Sequence, residues 1–524
     1  MKAGHRWLVA VVALSLAAAA CGDDDGSDAS SSDTTATPAT SVETSASAPE
    51  IDTGAVVKVA FNFVQGFSFD PRQSTASSDG IIQTLVYGSL LRKTMDGDYE
   101  PHLAESATIV DPQTVEVELR PDLVFSDGTT LDAAAVKASI EAIIASENPR
   151  AFRTEIQEVD RIDVAGPTSL TIHLARPIAG AFYDLLAFLE TFPMGPGSTA
   201  EKPVGAGPFM VESYTPEARA VLVKNPRYFA ADEIRVAGVE FVQAAEGPPQ
   251  VNALRSGAVD AAPVAAESVA ALQGSGVQTD MRSSDNTFLW FQVCKSAAPF
   301  DDVRVRQALN YALDREAMTA TLGGGGGEPM EGFWTKGSRY FRSENEGLYS
   351  HDVERAKALL AEAGQSNLSF DVLVNTPTSQ RFAEISQQMW AEAGITANLV
   401  TTSNLLEDFF EAKKAPMAPI LLNRTGVDKV ARVLVPGVRG NICDYDDPEI
   451  NQPVERLRAV DQTSDEAVEL WHELQRDAFE KAVNVFGIFM PQAYAWSDRL
   501  EGVEFMPDVF GRMHLDLTKV YVPA

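Results

Sequence analysis

The chain is poor in cysteine, histidine and positive charge, and beyond Ala20 it has no run of about 18 apolar residues. The missing run excludes a helical membrane span after that point, because a span needs about 20 apolar residues. Only 42 basic residues stand against 74 acidic ones, a formal net charge of -32. A surface this acidic repels nucleic acid and has no general attraction for anionic lipid. It leaves a weak lean toward cationic or zwitterionic ligands. The 6 histidines are scattered, with no Cys/His cluster, which argues against a metal site of the usual kinds. His472-Glu473 begins like H-E-x-x-H, but Arg476 stands where the second histidine must be. No G-x-S-x-G elbow is present. Gly323 to Gly327 is followed by Glu328 and not by Lys-Ser/Thr, and a carboxylate there would repel phosphate. The five glycines read instead as a mobile rim loop. With no nucleophile or metal constellation, the chain reads as a non-enzyme without a cofactor.

What is present begins with Lys2, His5 and Arg6, then the apolar stretch Trp7 to Ala20, too short to span a bilayer. A basic start, a short apolar middle and small residues before a cut site describe a secretory leader over residues 1–20. Leu16-Ala17-Ala18-Ala19-Ala20-Cys21 resembles the processing box of bacterial lipoproteins. That resemblance implies that Cys21 becomes the first mature residue and carries the acyl chains of a lipid. The protein would then work outside the cytoplasm, tethered to the cell membrane only by that lipid. Residues 22–54 contain no Lys or Arg and are dominated by Ser, Thr, Asp and Ala, so they have little to bury and read as a disordered linker. As a flexible coil the linker spans about 30 Å root-mean-square. Two cysteines remain, Cys294 and Cys443. In an oxidising compartment they close one long-range disulfide, or they stay as two buried thiols. An odd free thiol outside the cell is a liability, which favours the bridge.

Val56 to Phe61 reads as a buried strand that starts the fold, and Thr114–Leu119 and Leu170–Leu174 alternate as half-exposed strands. Asp132 to Ile144 is helical, with Val136, Ile140, Ile143 and Ile144 inward. In the second half, Asp301 or Asp302 caps a helix with Val305, Ala308, Leu309, Ala312 and Leu313 on one face. A helix from Ser350 or Asp352 to Gly364, a strand over Leu368–Val374, a helix over Ser379–Ala393, a strand over Ile395–Leu399 and a helix through Asn404–Lys414 follow. This alternation predicts crossover units on a largely parallel sheet, whereas the first half is strand-rich and mixed. Two such bodies predict two lobes with a ligand cleft between them.

Six segments, in order, resemble the solute-binding lipoproteins of the peptide/nickel class (family 5) that feed ABC importers. They are Glu100–Ser106; Leu119-Arg120-Pro121 through Phe125–Thr129; Val204-Gly205-Ala206-Gly207-Pro208-Phe209 with Asn225–Phe229; Phe300–Ala308 with Asp314–Ala317; Ala356–Gly364; and Trp390–Ile395. The resemblance implies an α/β, two-lobed fold of the type II periplasmic-binding-protein kind, in its large form. Lobe 1 would be residues 55–285, with a subdomain near 100–203, completed by 485–524. Lobe 2 would be 286–484. The chain would cross near Asn286–Val293 and Val485–Trp496, and those crossings would be the hinge. The function implied is capture of an oligopeptide or similar small organic solute by a monomer and its delivery to a membrane permease. A peptide-signal receptor of the same fold and a secreted hydrolase are the rival readings.

Candidate cleft walls are Phe63 and Phe67 after the first strand, Trp290 on the first crossing, Phe333 and Trp334 after the glycine run, and Tyr494 and Trp496 on the second. The family's Trp-x-x-Asp-Tyr segment, whose Asp anchors a peptide amine, corresponds to Leu421–Asp428, where the Trp is missing. Asp428 is the candidate anchor. Arg424 would bind a carboxylate or pair with a neighbouring acid. Gly205 and Gly207 read as structural, needed for positive φ or for close approach. Arg304 and Arg306 are expected to point outward or to pair with Asp301 and Asp302, supporting structure.

Overall fold

The computed structural model describes residues 50–63, 67–74, 79–146, 154–438, 440–508 and 510–524. The leader, Cys21 and most of the linker lie outside the described residues. Val56–Phe61 is a strand parallel to both Gly238–Gln243 and Ala261–Val264. Val57, Val59, Ala60 and Phe61 are buried, as a strand flanked on both edges demands. Arg219–Lys224 and Phe209–Thr215 extend this half of the sheet antiparallel. A separate four-stranded sheet (Ala104–Asp111, Thr114–Leu119, Ser169–Leu174, Val159–Val164) carries the helix Ala133–Ile144. The alternation resolves as read: Val115, Val117, Leu119, Leu170, Ile172 and Leu174 are buried with Val136, Ile140 and Ile143.

The other half is built from Ser369–Val374, Thr396–Thr401 and Met417–Asn423, parallel where they pair with one another. Their helices start where short polar side chains satisfy the first free N–H groups. Asp302 accepts from Arg304 N (2.9 Å) and Asp352 from Arg355 N (2.8 Å). One helix begins at Pro377, earlier than the expected Ser379, because Thr376 caps it reciprocally with Ser379 and Pro suits the first turn. The expected helix through Asn404–Lys414 shrinks to a wide turn at Leu406–Glu411, where Phe409 alone is buried.

Two long strands, Val277–Val293 and Val485–Ser497, pair antiparallel and join both halves into one sheet of eleven strands. At one end Val277–Ser283 lies on Pro491–Ser497, which in turn pairs with Ala261–Val264. At the other, Thr287–Val293 lies on Met417–Asn423. Between Ser283 and Phe288 the register of the two long strands shifts. The Gln492 side-chain amide fills this lapse, donating to Ser284 Oγ (2.9 Å), Thr287 Oγ1 (2.8 Å) and Gly511 O (3.2 Å). The described residues from 50 to 524 belong to one compact unit.

Arg304 points outward onto Asp302 (2.6 Å), but Arg306 does not. Its buried guanidinium donates to the carbonyls of Phe300 (2.7 Å), Lys481 (2.7 Å) and Ala482 (2.9 Å). These last two are orphan acceptors just past the helix Asp465–Glu480, so Arg306 acts as that helix's C-terminal cap. The glycine run packs against its neighbours: a Cβ at Gly324 would meet Ala266, and one at Gly326 would meet Met281. Cys294 and Cys443 have Cα atoms 5.3 Å apart, within the span of a disulfide.

Gly205 and Gly207 serve close approach, not positive φ. Ala206 N and Gly207 N donate to Tyr87 O (3.1 Å) and Val86 O (2.9 Å), and a Cβ on either glycine would strike backbone of Leu85–Tyr87. Backbone cannot swing aside as a side chain can. Gly207→Ala is therefore expected to cost about 1–3 kcal/mol, read as a lowered urea midpoint at unchanged slope. A wild-type midpoint would contradict the close-approach reading.

Candidate ligand cleft

The cavity beside the strand lapse takes its walls from both halves of the molecule. The short strands Leu91–Lys93 and Tyr99–Pro101 are joined by a turn holding Asp96-Gly97, and they bring in Lys93, Met95 and Tyr99. Asp184 comes from the turn after Ala179–Tyr183, and Asp285 and Asn286 come from the lapse itself. From the other half come Thr425 to Asp428, Trp334, Tyr340 and Gln462. The space, with the open solvent at its mouth counted in, is about 710 Å³. It shares Met95, Asp96, Asp285 and Asn286 with a more open polar cavity of about 1070 Å³ that reaches Arg282, Ser284, Arg339 and Gln492.

Charge in the wall is largely compensated internally. The buried Asp184 carboxylate accepts from Lys93 Nζ (2.6 Å), Tyr99 OH (2.6 Å) and, across the cavity, Thr425 Oγ1 (3.0 Å). Asp428 opens the helix Asp428–Leu434, where negative charge is favoured. Both its oxygens accept from Arg432 Nε (2.8 and 2.9 Å), and Arg424 Nε lies 3.2 Å away. Arg424 itself stacks on the Phe510 ring at 4.8 Å and donates to Asn423 O (2.7 Å). Beneath the wall, Lys429 is fully buried. Its Nζ donates to Asp285 O (2.9 Å) and Phe333 O (3.2 Å) and lies 3.4 Å from the centre of the Trp334 ring. Burial pushes its pKa down to about 7.

Of the residues singled out in the sequence, Trp334 and Asp428 line this cavity, and Arg424 stands behind Asp428. Trp290 and Phe333 are enclosed in the aromatic core with Phe288, Phe479 and Phe486, so neither offers a cleft surface. The cause is the sheet: Trp290 sits on a strand flanked on both edges and covered on both faces. Phe63 and Phe67 pack with Phe61, Phe69 and Tyr214 in the first half, away from these walls. Tyr494 lines a different, apolar groove of about 1170 Å³ with Phe61, Phe241, Val264 and Met513. Trp496 leans on Phe505 beside it. Lys93, Tyr99, Asp184 and Asp285 were not singled out as site residues in the sequence, and Asn286 and Thr425 figured only within the crossing and the Leu421–Asp428 segment. Only the Asp96-Gly97 turn gave a local signal. Among the described residues, no group of three or more His, Cys, Asp or Glu is placed to hold a metal ion. No described helix is long and apolar enough to cross a membrane.

The profile of the bacterial extracellular solute-binding proteins, family 5 Middle, matches residues 98–429. The glutathione-binding protein GsiB of Escherichia coli K12 is 26% identical over 357 residues, which cover 66% of this chain and 68% of that protein. The binding protein AgaA of A. tumefaciens R10, solved with agropinic acid, is 26% identical with a TM-score of 0.70, covering 90% of this chain and 99% of its own. The ABC transporter substrate-binding protein CtaP of Listeria monocytogenes has the same fold at 21% identity, with a TM-score of 0.76 over 90% of this chain and 100% of its own. The fold is the two-lobed type II α/β architecture. The chain belongs to the bacterial extracellular solute-binding proteins of family 5.

Proposed function

We propose that this protein is the solute receptor of an ABC importer, which captures a peptide or a peptide-like small organic solute between its lobes and hands it to a membrane permease. The observation that carries the reading is the crossing pair of strands, whose register lapses at Ser284–Thr287 beside a cavity walled from both sides. A lapse in pairing is where φ and ψ can change with little loss of hydrogen bonding, so closure by hinge bending is supported there. Lobe 1 would comprise residues 55–285 and 485–524, with its subdomain near 100–203, and lobe 2 residues 286–484. Residues 1–20 would be the leader, Cys21 the lipid anchor and 22–54 the tether. The protein would act as a monomer outside the cytoplasm and do no covalent chemistry. GsiB is named for glutathione and AgaA was solved with agropinic acid. Both are small polar organic solutes, which supports the same class here.

Trp334 and Asp428, with Lys93, Asp285 and Asn286, are the proposed ligand contacts. Asp428 is held by two guanidinium groups, so it is a poor free anchor for a ligand amine. Native mass spectrometry of the protein purified from its own host tests the reading. A bound organic mass of a few hundred daltons, released unchanged on denaturation, is expected; processing of added peptides into fragments would defeat it. The Cys294–Cys443 pair is proposed to be oxidised. It would link the end of the first crossing strand to a residue 149 positions on, and Cys294→Ser should then cost about 2–4 kcal/mol in urea denaturation. An equal loss of stability in wild type and variant on adding reductant would count against the bridge.

A further inference from the structure

On the proposed lobe borders, one contact between the lobes is made by the chain alone. Gly180 lies in the short helix Ala179–Tyr183, beside the four-stranded sheet of the first lobe. Val460 ends the helix Pro448–Ala459 of the second lobe. A Cβ on Gly180 would fall inside the Val460 carbonyl. Nothing else requires glycine there: φ is not positive, and in a helix alanine is better than glycine by about 0.5–1 kcal/mol. The demand comes from the facing backbone alone, which no rotamer change can relieve.

Two polar contacts flank this approach. On the last turn of the same second-lobe helix, Arg458 NH2 lies 3.6 Å from Glu155 Oε1 of the first lobe, both side chains 8% exposed. Thr425 Oγ1 reaches Asp184 Oδ2 across the cavity at 3.0 Å. Glu155, Gly180, Asp184 and Thr425 all line the cavity, so these contacts are also its wall. A buried ion pair gains little net free energy, because each charge recovers its hydration when the pair parts. That near-balance suits a contact that must open and shut. The glycine approach adds geometric selectivity, since it forms only when the lobes are fully together.

Resting on the two-lobed clamp reading, we infer that Gly180, Glu155 and Arg458 form a latch: contacts of the chain with itself hold the lobes shut without solute and close the cavity on that side. A solute must then enter while the latch is parted, and a solute extending past Gly180 would keep it parted.

Small-angle scattering of the full chain, without added solute, tests this on the wild type, Gly180→Val and Arg458→Met. The latch predicts a larger radius of gyration for Gly180→Val than for wild type, an intermediate value for Arg458→Met, and unchanged circular dichroism. Equal radii in all three would overturn it. Should Gly180→Val fail to fold, Arg458→Met and Glu155→Gln carry the comparison, and a wild-type radius in both would overturn the latch equally. The measurement needs no ligand. Equal radii beside a copurified solute would remove the latch and leave solute capture standing. A radius change without any bound solute would do the reverse.

Discussion

Asp184→Ala is expected to lower the unfolding free energy by about 3–5 kcal/mol. The Lys93–Asp184 pair is 2.6 Å long with side chains 8% and 9% exposed, so removing the carboxylate leaves a buried ammonium without its counter-charge. Tyr99 OH and Thr425 Oγ1 lose an acceptor in the same step. The Thr425 bond spans the cavity and, on the proposed lobe borders, joins the lobes, so the variant should also be more open in scattering and weaker in holding a copurified solute. Urea denaturation at neutral pH reads the stability. The companion Lys93→Met/Asp184→Leu removes both charges, and buried pairs replaced by apolar groups are often neutral in stability or better. The double variant should therefore recover most of the loss. If Asp184→Ala costs less than about 1 kcal/mol, the carboxylate is hydrated in solution and the described network does not hold the wall.

Elements with a local cause were legible in the sequence. Val115, Val117 and Leu119 alternate because one face of their strand is covered, and Asp132, Asp302 and Asp352 cap helices because they precede apolar periodic runs. The aromatic residues show where such reading stops. Trp290 and Trp334 look alike in sequence, yet one is sealed in the core and the other lines the cavity, a difference set by strands far away in the chain. Asp184 was invisible for the same reason: its partners Lys93, Tyr99 and Thr425 come from three separate segments. The fate of Asp428 was nearer to hand. Arg424 and Arg432 stand four residues either side of it, the spacing at which side chains meet along a helix. Arg306 was misread because periodicity identifies an apolar face but not a buried cation that serves another helix's carbonyls.

Lys295→Met is expected to stabilise the protein, by up to about 4 kcal/mol at neutral pH. Lys295 follows Cys294 and is buried, with no hydrogen-bond partner for Nζ among the described residues and the Tyr445 ring centre 5.2 Å away. Burial, with a smaller contribution from the nearby Arg306 charge, pushes its pKa from 10.5 down to about 7. The sign follows from where the protons sit. Between about pH 7 and 10.5 the unfolded chain holds the proton and the folded chain does not, so stability falls as pH is lowered through that window. Below about 7 both states are protonated and the full cost remains; above 10.5 both are neutral and it is gone. Methionine keeps an unbranched stem of similar length and has no charge to bury. The gain should thus be largest at or below neutral pH and should vanish as pH approaches 10.5. Urea midpoints of both proteins from about pH 6 to about pH 10 measure it. A gain independent of pH would mean that packing alone distinguishes the two side chains. A loss at neutral pH would mean that Lys295 stays charged and finds compensation within the fold.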